Sequence, residues 1–245
     1  MTRAGDLHRA WRALPLGGLD DMIGKGTCVI LAPHPDDESL GCGGLIATCV
    51  VAGRAPLVVV LTDGAASHPN SWEYPPARLR QMRAREVHEA VACLGLPPDR
   101  VVFMGEPDSA APSSGPGFAA VVAQLVRLIG REPGCTAILA PWRYDPHCDH
   151  EAASLAAGAA AAIADIRHVA YPVWGWTLPP DTQIPGAAGT GWRLGIAAML
   201  PRKRRAIEAH ATQYGGLIAD DPGGFQLPAE LLAVFGNPFE TFLTT

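Results

Sequence analysis

The sequence predicts an α/β protein: a mostly parallel sheet covered by helices on both faces, with an elaborated C-terminal third. Three observations predict it. Short apolar, β-branched runs alternate with Ala-, Leu- and Arg-rich segments. The runs are continuously apolar, as in strands buried on both faces. Beyond Val173 the alternation gives way to segments broken by Pro and Gly.

In chain order, "TCVILA" (27–32), "LVVVLT" (57–62), "RVVFM" (100–104), "TAILA" (136–140) and "RHVAYPV" (167–173) read as strands. Helices are expected near 41–53, 77–95, 117–130 and 150–164, with Pro76 and Pro116 placed where helices begin. Strand–helix repetition of this kind requires parallel neighbours and crossover helices. After Val173, "WGWTLPPDTQIPGAAGTGW" reads as loop, "RLGIAAML" as an outer strand and "PRKRRAIEAHATQY" as a helix, before "DDPGGFQLP" breaks the chain again. Trp174 and Trp176 place aromatic faces in this elaborated region, with core packing as their plainer use. No repeat or linker divides the chain, so one domain over 1–245 is expected.

With 245 residues, 48% of them hydrophobic, the chain can bury a sizeable core. A net charge of −5 gives no footprint for nucleic acid. "RKRR" (202–205), the one dense basic run, is expected to be a solvated helix face. No apolar stretch is long enough to span a bilayer, and the first residues lack a signal peptide's apolar core. Cys28, Cys42, Cys49, Cys93, Cys135 and Cys148 lack paired spacing and read as reduced thiols. A cytoplasmic protein is the expectation.

"VILAPHPDDESLGCGG" (29–44) sets His34, Asp36, Asp37 and Glu38 directly behind the first strand. Ligands of open parallel sheets bind at the carboxyl ends of strands. Pro33 and Pro35 stiffen that turn, and Gly41, Gly43 and Gly44 permit close backbone approach. His34 and Asp37 suit a catalytic zinc, which takes three protein ligands, and leave Asp36 free as a base. The plainer reading makes the acids a helix N-terminus favoured by the dipole.

A second cluster, "APWRYDPHCDHEAA" (140–153), repeats the arrangement behind the fourth strand with Asp145, His147, Asp149 and His150. One of its histidines completes the metal site, and the other is left for acid–base or oxyanion work, oriented by an acid. Cys148, between them, is expected to be a packed thiol.

"PHPDDE" (33–38) and "HCDH" (147–150) together resemble the signatures of the PIG-L/LmbE-like family of metal-dependent N-deacetylases, and "AIEAHATQ" (206–213) is similar to a late family segment. The resemblance implies a Rossmann-like three-layer sandwich and one zinc ion, or another divalent metal, held by His34, Asp37 and His150. It implies Asp36 as general base and His147 as oxyanion stabiliser or proton donor, with Asp149 holding the His147 ring. Asp108 matches a family aspartate that contacts sugar hydroxyls. Arg78, Arg80, Arg83 and Arg85 are the candidates for a substrate-binding arginine, and Arg85 is assigned that role. The residue after His147 is often proline in the family; here it is Cys148.

The expected activity is hydrolysis of an N-acyl, chiefly N-acetyl, amide on an amino-sugar-containing small molecule or glycoconjugate, in a protein with no nucleic-acid partner and room for homo-oligomerisation. The alternatives are an amidase acting on a non-sugar or thiol-conjugate substrate, and a Rossmann-like module that binds a ligand without turning it over.

Overall fold

A computed structural model describes residues 1–186 and 189–245. Its strands are β1 (Thr2–Arg3), β2 (Leu16–Gly17), β3 (Thr27–Ala32), β4 (Leu57–Thr62), β5 (Val101–Glu106), β6 (Cys135–Pro141), β7 (Arg167–Tyr171), β8 (Gln183–Ile184), β9 (Gly191–Gly195) and β10 (Phe239–Thr244). The helices are α1 (Ala4–Ala13), α2 (Leu19–Ile23), α3 (Asp37–Val51), α4 (Pro76–Cys93), α5 (Gly115–Arg131), α6 (Cys148–Ala164), α7 (Leu200–Ala209), α8 (Ala211–Tyr214) and α9 (Ala229–Phe235).

The main sheet has the order β2-β9-β10-β7-β6-β3-β4-β5. Strands β3 to β7 pair in parallel. Strand β10 runs antiparallel to both β7 and β9. The chain leaves β3 toward β4 and β5, then returns to the other side of β3 as β6 and β7. The strand order therefore reverses between β3 and β6, and their carboxyl ends flank the crevice where such sheets bind ligands.

Period-2 alternation divides each central strand between two cores. Cys28 and Ile30 of β3 face one core with Leu45, Val87 and Ala206 of α3, α4 and α7. Val29 and Leu31 face the other, with Val121 and Leu125 of α5 and Ala153, Ala157 and Ala160 of α6. Both faces are thus apolar, which explains the unbroken hydrophobic runs and gives the three-layer α/β sandwich that the sequence predicts.

Helix α3 starts at Asp37, four residues before the expected start, so the acids form its first turn and the glycines lie inside it. Those glycines serve packing: a Cβ on Gly41 would collide with the Tyr171 ring of β7. The helix expected over 201–214 breaks at His210, whose Nε2 lies 2.9 Å from Glu38 Oε1. The outer strand lies at Gly191–Gly195, slightly upstream of its expected place.

The solvated-face reading of 202–205 fails at Lys203, which is 1% exposed. Helix α7 packs on α3 through that side chain, and a buried ammonium needs a partner. Its Nζ meets Glu240 Oε1 at 2.6 Å, while the same carboxylate accepts the Gly44 and Leu45 N–H groups.

Candidate active site

The loop after β3 is anchored before it reaches its polar residues. Pro33 O accepts both the backbone N–H and the hydroxyl of Thr62, each at 2.9 Å, tying the loop to the end of β4. Asp36 then caps α3 with its main-chain carbonyl. Across the crevice, His147 is the N-cap of α6, and its Nδ1 accepts the Asp149 N–H at 3.2 Å. The two motifs, more than 100 residues apart in sequence, meet here: the His34 and His147 rings lie 4.5 Å apart, and His34 and His150 5.3 Å.

Three side chains converge. Asp37 Oδ2 is 3.2 Å from His34 Nδ1 and 3.3 Å from His150 Nε2. Each ring's other nitrogen meets a carboxylate: His34 Nε2 reaches Asp149 Oδ2 at 3.1 Å, and His150 Nδ1 reaches Asp145 Oδ2 at 2.9 Å. Carboxylates in those positions fix tautomer and ring direction and leave the inward nitrogens as donors to a cation. His150 Nε2 is buried with no hydrogen-bond partner, the Asp37 oxygen being off its line. Two imidazoles and a carboxylate converging around such an orphaned nitrogen suit a divalent ion such as zinc. The ring nitrogens of His34, His147 and His150 also come within 4.8 Å of one another, which puts His147 at the edge of the same space.

The electrostatics follow from burial and pairing. Burial disfavours the imidazolium of His34, but Asp149 and Asp37 reverse this and push it up to about 9. His150 is likewise opposed by burial and raised to about 10 by Asp37 and Asp145. Asp37 is held well below the usual carboxylate range, the two histidines outweighing its burial. Burial would raise Asp149, yet hydrogen bonds from His34, Ala111 N–H and Ser109 N–H hold it at about 2. Burial, with His34 and His150 nearby, lowers His147. The neutral His147 ring, accepting at Nδ1, carries its proton on Nε2.

Asp36 stands apart from this convergence. It is 5% exposed, and burial raises its carboxyl to about 6 despite the opposing Arg83 guanidinium. Arg83 Nη2 donates to Asp36 Oδ2 at 3.1 Å and to Pro35 O at 2.9 Å, while Nη1 donates to Gly64 O at 3.0 Å. Gly64 adopts φ +64°, where any Cβ would also press on that guanidinium.

A cavity of about 410 Å³ opens over these groups, walled by His34, Asp36, Asp37, Arg83, Asp108 and His147. Asp108 is fixed by the Ala66 N–H at 2.9 Å. The far wall comes from the C-terminal third: Trp174 and Phe225, edge to face at 5.7 Å, with Gln213 beside them. Trp176 does not line this cavity and packs on Trp11 instead.

Three assignments need correction. Arg85 is exposed and turned away, its guanidinium against Met82 Sδ; Arg83 occupies the cavity wall. The α4 residues Leu79, Arg83 and Val87 share the buried face, and two further residues rotate Arg85 off it by about 200°. The Asp149 carboxylate backs His34 rather than the His147 ring, which is held by the Asp149 main chain. Cys148 is exposed at the first position of α6, not packed, because its neighbours Asp149 and His150 take the inward positions.

A model of the PIG-L family, described as GlcNAc-PI de-N-acetylase, matches residues 29–161. The 2'-N-acetylparomamine deacetylase of Streptomyces fradiae is 28% identical over 142 residues, covering 54% of this chain and 51% of that protein. The chain thus spans about half the length of this relative. The diacetylchitobiose deacetylase of Thermococcus kodakarensis is 25% identical over 198 residues, covering 78% of this chain and 71% of its own. Among solved structures, the conserved protein TT1542 of Thermus thermophilus superposes with a TM-score of 0.63 at 26% identity, over 89% of this chain and 93% of that one. No helix among the described residues is long and apolar enough to cross a membrane. With the family match spanning more than half of its length and both signature segments, the chain belongs to the PIG-L family.

Proposed function

We propose that the protein is a zinc-dependent hydrolase removing an N-acetyl group from an amino-sugar-containing small molecule, with residues 1–245 acting as one unit. The observation that carries this reading is the convergence of His34, Asp37 and His150, each histidine backed by a carboxylate, beside the buried Asp36. The relatives' names, an N-acetylparomamine and a diacetylchitobiose deacetylase, point to the same substrate class.

An ion held by the three ligands supplies a Lewis acid that acidifies water and polarises a carbonyl. The remaining work falls to the chain. Asp36, with its carboxyl near neutrality and Arg83 fixing its direction, accepts a proton from the attacking water. His147 presents Nε2–H toward the same space and stabilises charge developing on the amide oxygen. The proton taken by Asp36 is the one the departing amine requires. Trp174 and Phe225 offer apolar faces to a sugar ring, and Asp108 offers an acceptor to its hydroxyls. The single-unit reading is supported by the cavity itself, whose walls run from His34 to Leu227.

The test is acetate release from N-acetylglucosamine, N-acetylparomamine and diacetylchitobiose by chelator-stripped and zinc-reloaded protein. Release by the reloaded form, absent from the stripped form and from Asp36→Asn, is expected. Tight ligand binding without release, in every metal form, would favour the ligand-binding module instead.

A further inference from the structure

We propose that Cys148, His147 and Asp149 form a second site for a soft divalent metal behind the cavity wall at His147, and that its occupation inhibits the enzyme. Their donor atoms lie within 4.8 Å of one another, a group distinct from the His34, Asp37 and His150 convergence. Cys148 Sγ is exposed, 3.6 Å from Ser109 O and 3.7 Å from Asp149 Oδ1. Asp149 divides its work: Oδ2 holds His34 and the Ser109 N–H, while Oδ1, bonded to the Ala111 N–H, is the oxygen beside the thiol. His147 gives Nδ1 to the α6 backbone and keeps Nε2.

Sulfur, nitrogen and oxygen donors bind zinc at about 2.0–2.3 Å, so a shared ion draws the exposed Cys148 side chain and the His147 ring toward Asp149 Oδ1. Binding forms metal–sulfur and metal–nitrogen bonds: the thiol proton leaves to solvent, and the His147 Nε2 proton moves to Nδ1, which gives up the hydrogen bond it accepts from the Asp149 N–H. A thiolate ligand makes the site selective for zinc and cadmium over magnesium or manganese.

The functional consequence lies in His147, a ring nitrogen of which also stands within 4.8 Å of those of His34 and His150. An ion beside Cys148 withdraws the His147 ring from the oxyanion position, and it does so at metal concentrations above those that fill the first site. Activity therefore rises and then falls as zinc is added. This consequence rests on the function proposed above; the binding site itself does not.

The experiment titrates chelator-stripped protein with cadmium, following the ultraviolet thiolate-to-metal charge-transfer band, and separately measures turnover against zinc. Two equivalents are expected, the first without the band and the second with it. Cys148→Ser should keep the first equivalent, lose the band and abolish inhibition by excess zinc. His147→Gln should weaken the second equivalent by roughly tenfold or more. A band that persists in Cys148→Ser, inhibition unchanged in that variant, or a single equivalent in the wild type overturns the proposal. A Cys148-dependent band without a silent first equivalent would overturn the primary-site reading and leave this one standing.

Discussion

His150 Nδ1 meets Asp145 Oδ2 at 2.9 Å, and neither residue has any exposed side-chain surface. The Asp145 carboxylate is itself fixed by the N–H groups of Val173, Trp174 and Gly175 at 2.9, 3.2 and 2.7 Å. The segment after β7 thus aims a ring on α6, and Asp149 does the same for His34 through the loop at Ser109 and Ala111. Ser109 accepts a left-handed φ of 64° there, a conformation that a non-glycine residue adopts at some cost.

Asp145→Asn keeps the shape but loses the charge behind His150. Metal affinity should fall by about 10–100-fold, since outer carboxylates orient the ring and raise its basicity. Competition with a chromogenic chelator measures this. Unchanged affinity would mean that Asp145 only braces the loop.

Asp36→Asn removes the basic carboxylate while leaving the three converging side chains in place. Metal content should stay at one equivalent and turnover should drop by roughly two or more orders of magnitude. Elemental analysis and a steady-state assay on one preparation decide it. Near-normal turnover with bound metal would move the base elsewhere.

These residues differ in how much of their placement the sequence reveals. His34, Asp37 and His150 were legible because each follows a strongly apolar strand, and parallel strands deliver their ends to one edge. Arg83 was also within reach: with Leu79 and Val87 it follows the four-residue spacing of a buried helix face. The same reasoning would have found α1, whose Ala4, Leu7 and Trp11 share a buried side. Other features are set by tertiary closure. Trp174, Gln213 and Phe225 reach the cavity from distant loops, and no local period marks them. Strand β10 was hidden because its buried Glu240 breaks an apolar pattern, and only its bonds to Lys203 and to the Gly44 and Leu45 N–H groups explain it. Asp149 was tied to the His147 ring only by the family resemblance, whereas residues two positions apart on a helix point about 200° apart.

Arg83→Lys retains a charge but cannot span Asp36, Pro35 O and Gly64 O together. Turnover should fall by about 10–100-fold, with a stability loss of roughly 1–3 kcal/mol from unmade buried hydrogen bonds. Arg85→Ala should stay within about 0.5 kcal/mol of the parent and keep its activity. Thermal melts and kcat values for the two variants separate the arginines, and equal losses would contradict the placement of Arg83.

Metal uptake should be coupled to protons. Without metal, His34 and His150 titrate near 9 and 10, above the 6.5 of an unfolded histidine. Their protonated forms stabilise the metal-free fold fully below about pH 6.5, and this is lost as pH rises through 9 and 10. Metal requires both rings neutral, so uptake at pH 7 should release close to two protons, and apparent affinity should rise by about 100-fold per pH unit up to about pH 9. Calorimetric titration in buffers of different ionisation enthalpy counts the protons. The melting temperature of the metal-free form should also decline between pH 7 and 10, unlike that of the loaded form. Uptake without proton release would show that the rings are already neutral.

The two histidines of the second motif stand three positions apart, yet one is fully buried against Asp145 and the other caps α6 at the cavity wall. His150→Ala should therefore be a metal-binding defect that added zinc partly repairs by mass action, and this is best seen with Cys148→Ser present so that excess zinc does not inhibit. His147→Ala should keep the metal in the primary site and lose turnover, by about 2.7–4 kcal/mol if it removes a transition-state donor. Added zinc cannot repair it, because no primary ligand is missing. Asp149→Asn should follow His150 rather than His147, since its carboxylate backs the His34 ring: weaker metal binding, with turnover recovering as zinc is raised. Metal content and turnover for the three variants, with and without added zinc, test the assignments together. Loss of metal from His147→Ala with retention in His150→Ala would reverse the two roles.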